Sequence, residues 1–242
     1  MRDIMEKPFK YAIALFTSKY EKILLLIAII QIPLLVFHLF LTNFIYAVTP
    51  FNGTIHSAGD TYYGFLTLLL YLYAQIPFIK LTYNDYMGHE KPLKNAIYTF
   101  LVQGFNIFIF AIVLSFLTTI GFMLYILPGL ILFSIFIPAP IIAVIDNKSV
   151  WKSLKETITI YKKHWLKLLL YILVFGLFEL AIGIVLNQLI LGITTSYAAL
   201  VISQIFLNTL FYPFFIVLLT SSTIKWRGNL NMLNVEDHST AL

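Results

Sequence analysis

Residues 127–170 read LPGLILFSIFIPAPIIAVIDNKSVWKSLKETITIYKKHWLKLLL. An uncharged apolar run ends at Asp146, a lysine-rich segment follows, and a second apolar run begins at Trp165. Within the middle segment Val150, Leu154, Ile158, Tyr161 and Trp165 recur at helical spacing. Lys148, Lys152, Lys155, Lys162 and Lys163 take the other face. A helix with lysines on one side and aromatics on the other suits a membrane interface. The stretch therefore predicts a membrane span, a cytoplasmic surface helix and a second span.

Composition extends this reading to the whole chain. The 242 residues are 60% hydrophobic and only 11% charged, with a mean hydropathy of +0.89, outside the range of soluble domains. No cysteine is present, so disulfides, thiol nucleophiles and thiolate metal sites are excluded. The net charge of +5 does not point to nucleic acid, because the sixteen Lys and Arg fall in four clusters: Arg2 to Lys22, Lys80 to Lys94, Lys148 to Lys167, and Lys225 with Arg227. Between them lie three intervals without Lys or Arg, 23–79, 95–147 and 168–224, each 53 to 57 residues long. A span takes about 20 residues, so each interval fits two helices and an external turn. That is the positive-inside pattern of a bacterial cytoplasmic-membrane protein with both termini in the cytoplasm. The first apolar run, near Ile23, is too long for a signal-peptide core and is expected to remain as span one.

The fold class expected is an all-α membrane protein of six transmembrane helices in three hairpins, each preceded by a cytoplasmic interfacial amphipathic helix. The spans fall at about 23–47, 62–79, 105–124, 129–145, 168–191 and 198–220. External connections are expected at 49–60, around Gly121 to Gly129, and at 192–196. Asn52-Gly53-Thr54 reads as a Gly-centred turn. Lys7-Pro8-Phe9-Lys10-Tyr11-Ala12-Ile13 matches Lys91-Pro92-Leu93-Lys94-Asn95-Ala96-Ile97 at five of seven positions, and 148–154 is a looser third copy. Pro8 and Pro92 suit the first turn of a helix. These echoes predict a single six-span domain over 1–222 in three repeats, about 5–80, 89–146 and 147–222, and a polar cytoplasmic tail over 223–242, with the chain already polar and mobile from Ser221.

Five features between Pro128 and Trp165 carry a resemblance: Pro128-Gly129, Pro138-Ala139-Pro140, Asp146, Val150-Trp151-Lys152-Ser153-Leu154 and His164-Trp165. Together they resemble the six-span membrane domain fused to some bacterial glycerophosphodiester phosphodiesterases, whose stand-alone relatives are bacterial inner-membrane proteins. The resemblance implies that fold over about residues 5–222. It carries no catalytic residues, because the phosphodiesterase activity of those proteins belongs to a separate soluble domain.

Glu179 is the most informative single residue, an acid near the middle of span five with no other acid or base between Lys167 and Lys225. Placing a charge at a helix centre in a bilayer costs about 2.5–3.5 kcal/mol on insertion scales, and low dielectric favours the protonated carboxyl. Counting inward from Thr194 brings Asn208 of span six to the same depth, with Gln204 one turn nearer the outside and Asn187 further out on span five. These four residues form the candidate intramembrane polar site, either a proton-coupled or ligand-binding site or a neutral Glu acting as helix glue. Lys148, Lys152, Lys155, Lys162 and Lys163 are the candidate contacts for anionic lipid headgroups, each worth about 1 kcal/mol near such a surface. Gln31, His38, Gln75, Gln103 and Asn106 are further polar residues in or near spans. His89-Glu90 lacks the second histidine of a zinc-protease motif, since residue 93 is Leu93.

The function these residues predict is non-enzymatic handling of lipid or a small amphiphile, by transport, translocation or sequestration. No cofactor or metal is expected. The alternative is an interaction protein with a partner in the membrane: a transporter accessory subunit, a scaffold, or an immunity factor against a membrane-active peptide.

Overall fold

The structure, a computed structural model, describes residues 7–49 and 57–230; the Asn52-Gly53-Thr54 turn and the tail beyond Leu230 lie outside them. The described residues are all-α. Helix α1 (Pro8–Ser18) is followed by α2 (Tyr20–Val48), α3 (Ala58–Met87), α4 (Pro92–Leu124), α5 (Ile126–Ile145), α6 (Val150–Leu191) and α7 (Tyr197–Asn229). The last six are long and apolar enough to cross a membrane. Consecutive helices α2/α3, α4/α5 and α6/α7 pack against each other.

Proline shapes three of these helices. It lacks the amide that would bond four residues back, and its ring crowds that carbonyl. Helix α2 widens into a π turn over Ile27–Gln31 immediately before Pro33. Helix α3 breaks at Gln75 before Pro77, and α5 at Ile137 before Pro138 and Pro140. In α7, Pro213 is held within a continuous helix.

The core sits in the half of the bundle that follows these prolines. Ile76–Met87 of α3, Pro138–Ile145 of α5 and the second half of α7 pack on one another. Phe78, Ile79, Ile141, Ile142, Ile216 and Val217 there are fully buried. A further segment packs outside each of the three. Helix α1 lies on α7, the start of α4 on the end of α3, and the start of α6 on the end of α5.

Several ends differ from the sequence reading. The loop expected around Gly121 to Gly129 is one extended residue, Tyr125, because two glycines let the helices cross closely: a Cβ on Gly121 would lie 2.8 Å from the Gly129 Cα. Residues 221–229 are helix rather than the start of a mobile segment. Helix α7 continues to Asn229 with Ser221, Ser222, Thr223, Trp226 and Arg227 buried. Hydroxyls there bond back to the helix, Ser221 to the Leu218 carbonyl at 2.9 Å and Thr223 to the Leu219 carbonyl at 2.8 Å. Only the first of the three surface segments is a separate helix, ended by Lys19 (φ −126°, ψ 24°). The second runs unbroken into α4, and the third bends at His164 (φ −129°, ψ 17°), whose ring stacks on Trp226. On that third segment the protein-facing stripe is Val150, Ser153, Thr157 and Ile160, whereas Ile158 and Trp165 are exposed.

Candidate functional site

Of the three places where α2, α4 or α6 could meet the helix pair before it around the bundle, two are closed. Helix α4 packs along α3, and α6 along α5. The third, between α2 and α7, is nearly open, and a cavity of about 400 Å³ occupies it. Its walls come from residues 31–43 of α2, 63–74 of α3 and 197–212 of α7, with Asn187 of α6 at the side.

The inner end is a chain of amides. Gln31 Nε2 donates to both the backbone oxygen and Oδ1 of Asn208, each at 3.1 Å. Asn208 Nδ2 in turn donates to Glu179 Oε1 at 3.4 Å. These bonds orient Gln31, and its Oε1 is left buried without a partner, as is Asn187 Oδ1. Gln31 is 2% exposed, so an unpartnered acceptor there is costly unless something donates to it. Midway along, the Thr67 hydroxyl donates to the Tyr63 carbonyl at 2.8 Å and stands 3.0 Å from His38 Nε2. At the outer end the Tyr197 hydroxyl donates to Asn43 Oδ1 at 3.1 Å and bridges α7 to α2. Leu34, Leu35, Leu39, Leu200, Val201 and Ile205 supply the apolar wall.

The structure thus gathers Asn208, Gln204 and Asn187 on one cavity but puts Glu179 behind it. Glu179 lines a smaller space of about 190 Å³ among Phe133, Phe175 and Phe215. The two spaces share Thr67, Tyr71 and Tyr212. Tyr212 donates to the Tyr71 carbonyl at 2.6 Å, and the two rings meet edge to face, so they form the partition. Gln31 and His38 stood out in the sequence without a place, and Thr42, Asn43, Thr67, Tyr71, Tyr197 and Tyr212 did not stand out. The polar pair Thr42-Asn43, interrupting an apolar run, was the one local signal.

The lysines divide. Lys152, Lys155, Lys162 and Lys163 are exposed, whereas Lys148 belongs to an ion-pair cluster. Its Nζ lies 2.8 Å from Asp146 Oδ2 and 3.0 Å from Glu156 Oε2. Arg227 closes the ring: Nη1 and Nη2 bind both Asp146 oxygens at 2.9 and 2.7 Å, and Nε donates to Glu156. Among the described residues no group of three or more His, Asp and Glu is placed to hold a metal ion. Comparison of the chain with protein-family models, with curated proteins and with solved structures finds no match.

Proposed function

We propose that this chain is a non-catalytic, multi-pass bacterial cytoplasmic-membrane protein that takes a lipid or small amphiphile into the α2–α7 seam, for transport, translocation or sequestration. The observation that carries the reading is the seam cavity itself. At about 400 Å³ it falls in the range of about 300–1,000 Å³ usual for ligand sites. It has leucine walls and a small set of fixed polar groups, as such sites do.

The orientation follows from charge. The Asp146–Arg227 cluster and the exposed lysines of α6 mark the cytoplasmic end, so the cavity lies in the outer half. The start of α6 is then an interfacial helix with three sides: a buried stripe against α5, Ile158 and Trp165 toward lipid, and Lys152, Lys155, Lys162 and Lys163 toward anionic headgroups. A threefold repeat gains support from the ring of contacts, in which each surface segment lies on the preceding even span and α1 returns to α7. The resemblance to the phosphodiesterase-associated membrane domain is compatible with the same six-helix plan.

Purification in native lipid with mass spectrometry of what accompanies the protein tests the reading. The expected result is an amphiphile or lipid that is retained by the native chain and depleted when Asn208→Leu disrupts the amide chain. Retention of a stoichiometric protein and no small molecule would replace it with the interaction-protein reading. Glu179→Gln keeps an acceptor for Asn208 and the fold; its expected effect is loss of proton-coupled movement in a vesicle flux assay, with expression unchanged.

A further inference from the structure

The seam cavity narrows the head group of its occupant, given the reading that an amphiphile enters it. Gln31 Oε1 is an unpartnered acceptor held in place by the two bonds from Gln31 Nε2 to Asn208, so a head group at the inner end must bring an N–H or O–H donor. Among the described residues no Lys, Arg, Asp or Glu side chain stands on the wall, and the imidazole there, His38, is paired with Thr67. A phosphate, sulfate or carboxylate head would therefore be buried there with no counter-charge, at a cost of several kcal/mol in a low-dielectric site. A cation fares differently. Tyr63, Tyr71, Tyr197 and Tyr212 line the space, and aromatic faces attract cations. The carboxyl behind the inner end, Glu179, lies directly behind Asn208 and shares Tyr71 and Tyr212 with the cavity, whereas Asp60 adjoins its outer part and is held by Tyr46 and Ser57. The titratable side chains facing Glu179 in its own pocket are Tyr71 and Tyr212.

We propose that the α2–α7 cavity binds an amphiphile with a primary or secondary ammonium head, donating to Gln31 at the inner end with Glu179 as the counter-charge one amide away. The apolar tail lies along Leu34, Leu39, Leu200 and Val201 toward the bilayer.

The absence of cysteine allows a clean test. Val201→Cys places a single thiol on the cavity wall of the full chain in lipid nanodiscs, and Leu180→Cys places one on the exposed face of α6 as a control for bilayer partitioning. Labelling by N-ethylmaleimide is followed against decylammonium, decanol and decyl sulfate, matched in chain length. Decylammonium should protect residue 201, and not residue 180, at about tenfold lower membrane content than either other probe, a factor equal to about 1.4 kcal/mol. Adding Glu179→Gln should erase that preference while leaving decanol unchanged. If Glu179→Gln does not fold, Gln31→Met at the inner end of the cavity serves, with loss of the preference expected. Equal protection by decanol, or stronger protection by decyl sulfate, would overturn the ammonium head and leave the amphiphile reading standing. No protection by any probe, with the protein still folded, would overturn both.

Discussion

Arg227 is 1% exposed, and a guanidinium in that position needs its charge matched on the spot. Asp146 and Glu156 supply the match, and Lys148 balances them. Burial pushes the Asp146 carboxyl up, but the bonds from Arg227 and Lys148 outweigh it and hold it below its ordinary value of 3.8. For Lys148 burial acts downward, and the two carboxylates outweigh it and raise it above 10.5. A depressed acid stabilises the fold above its unfolded value and loses that contribution as pH falls through the folded one. A raised base stabilises below its unfolded value and loses the contribution as pH rises through the folded one. Unfolding in detergent should therefore show a plateau between roughly pH 4 and 10 from this cluster, with losses outside it. Asp146→Asn should destabilise toward the lower end of about 3–5 kcal/mol, because Glu156 still meets Arg227, and should flatten the acid limb. An unchanged acid limb in denaturant melts would show that the cluster does not carry it. None of this closed ring was legible in the sequence, since its members come from one turn and two helices, with Arg227 81 residues from Asp146. The Glu179–Asn208 approach was legible, because both are counted from one short turn along helices that rise a constant amount of about 1.5 Å per residue. Gln31, which completes that chain, lies 177 residues from Asn208, and no local count reaches it.

At the scale of elements, hydropathy made all six long helices legible, while their ends answered to packing. The Gly121–Gly129 crossing shows why. From sequence, Pro128-Gly129 reads as turn chemistry, yet Gly129 lies in the first turns of α5 and owes its place to space. A Cβ there would meet the Phe122 ring and backbone at 2.5–2.7 Å, and one at Gly121 would meet the Gly129 backbone. Backbone cannot yield as a flexible side chain does, so Gly121→Ala should cost about 1–3 kcal/mol, as overpacking does. Gly64 is the internal control. Nothing lies within 4 Å of its would-be Cβ, and Gly64→Ala should be neutral or stabilising by up to about 1 kcal/mol through helix propensity. Thermal melts in one detergent check the pair, and equal losses at both sites would refute the close-crossing account. The extension of α7 past Ser221 escaped hydropathy for a related reason. Serine and threonine score as polar, but in a helix their hydroxyls bond to the preceding turn and can then be buried.

Across the whole molecule, the packed ends of α3, α5 and α7 each lie beyond a proline and each carry a further segment, and function is sought where the contact between neighbouring helix pairs thins out. Helices α3 and α4 close one seam with aromatic contacts such as Tyr73–Phe100, and α5 and α6 close another. At the third, α2 and α7 are joined by side-chain bridges, Gln31–Asn208 within and Asn43–Tyr197 at the mouth. No sequence pattern announces an open seam, because it depends on the first and last long helices meeting across the bundle. If the seam is the route by which an amphiphile enters from the outer leaflet, tying its mouth should stop exchange without unfolding the core, which lies at the other end. Asn43→Cys with Tyr197→Cys, joined by a short bifunctional maleimide, provides the tie in a chain that has no other thiol. The expected outcome is at least about tenfold slower exchange of a bound fluorescent amphiphile on tying, against no change when either single variant is treated alike. Unaltered exchange in the tied protein would mean that the ligand passes elsewhere, through the space of about 280 Å³ between α3 and α4 that shares Tyr63 and Thr67 with the seam. A reporter fused after Lys163 fixes the frame for this experiment: cytoplasmic activity is expected, and external activity would invert the bundle and put the mouth on the wrong side of the membrane.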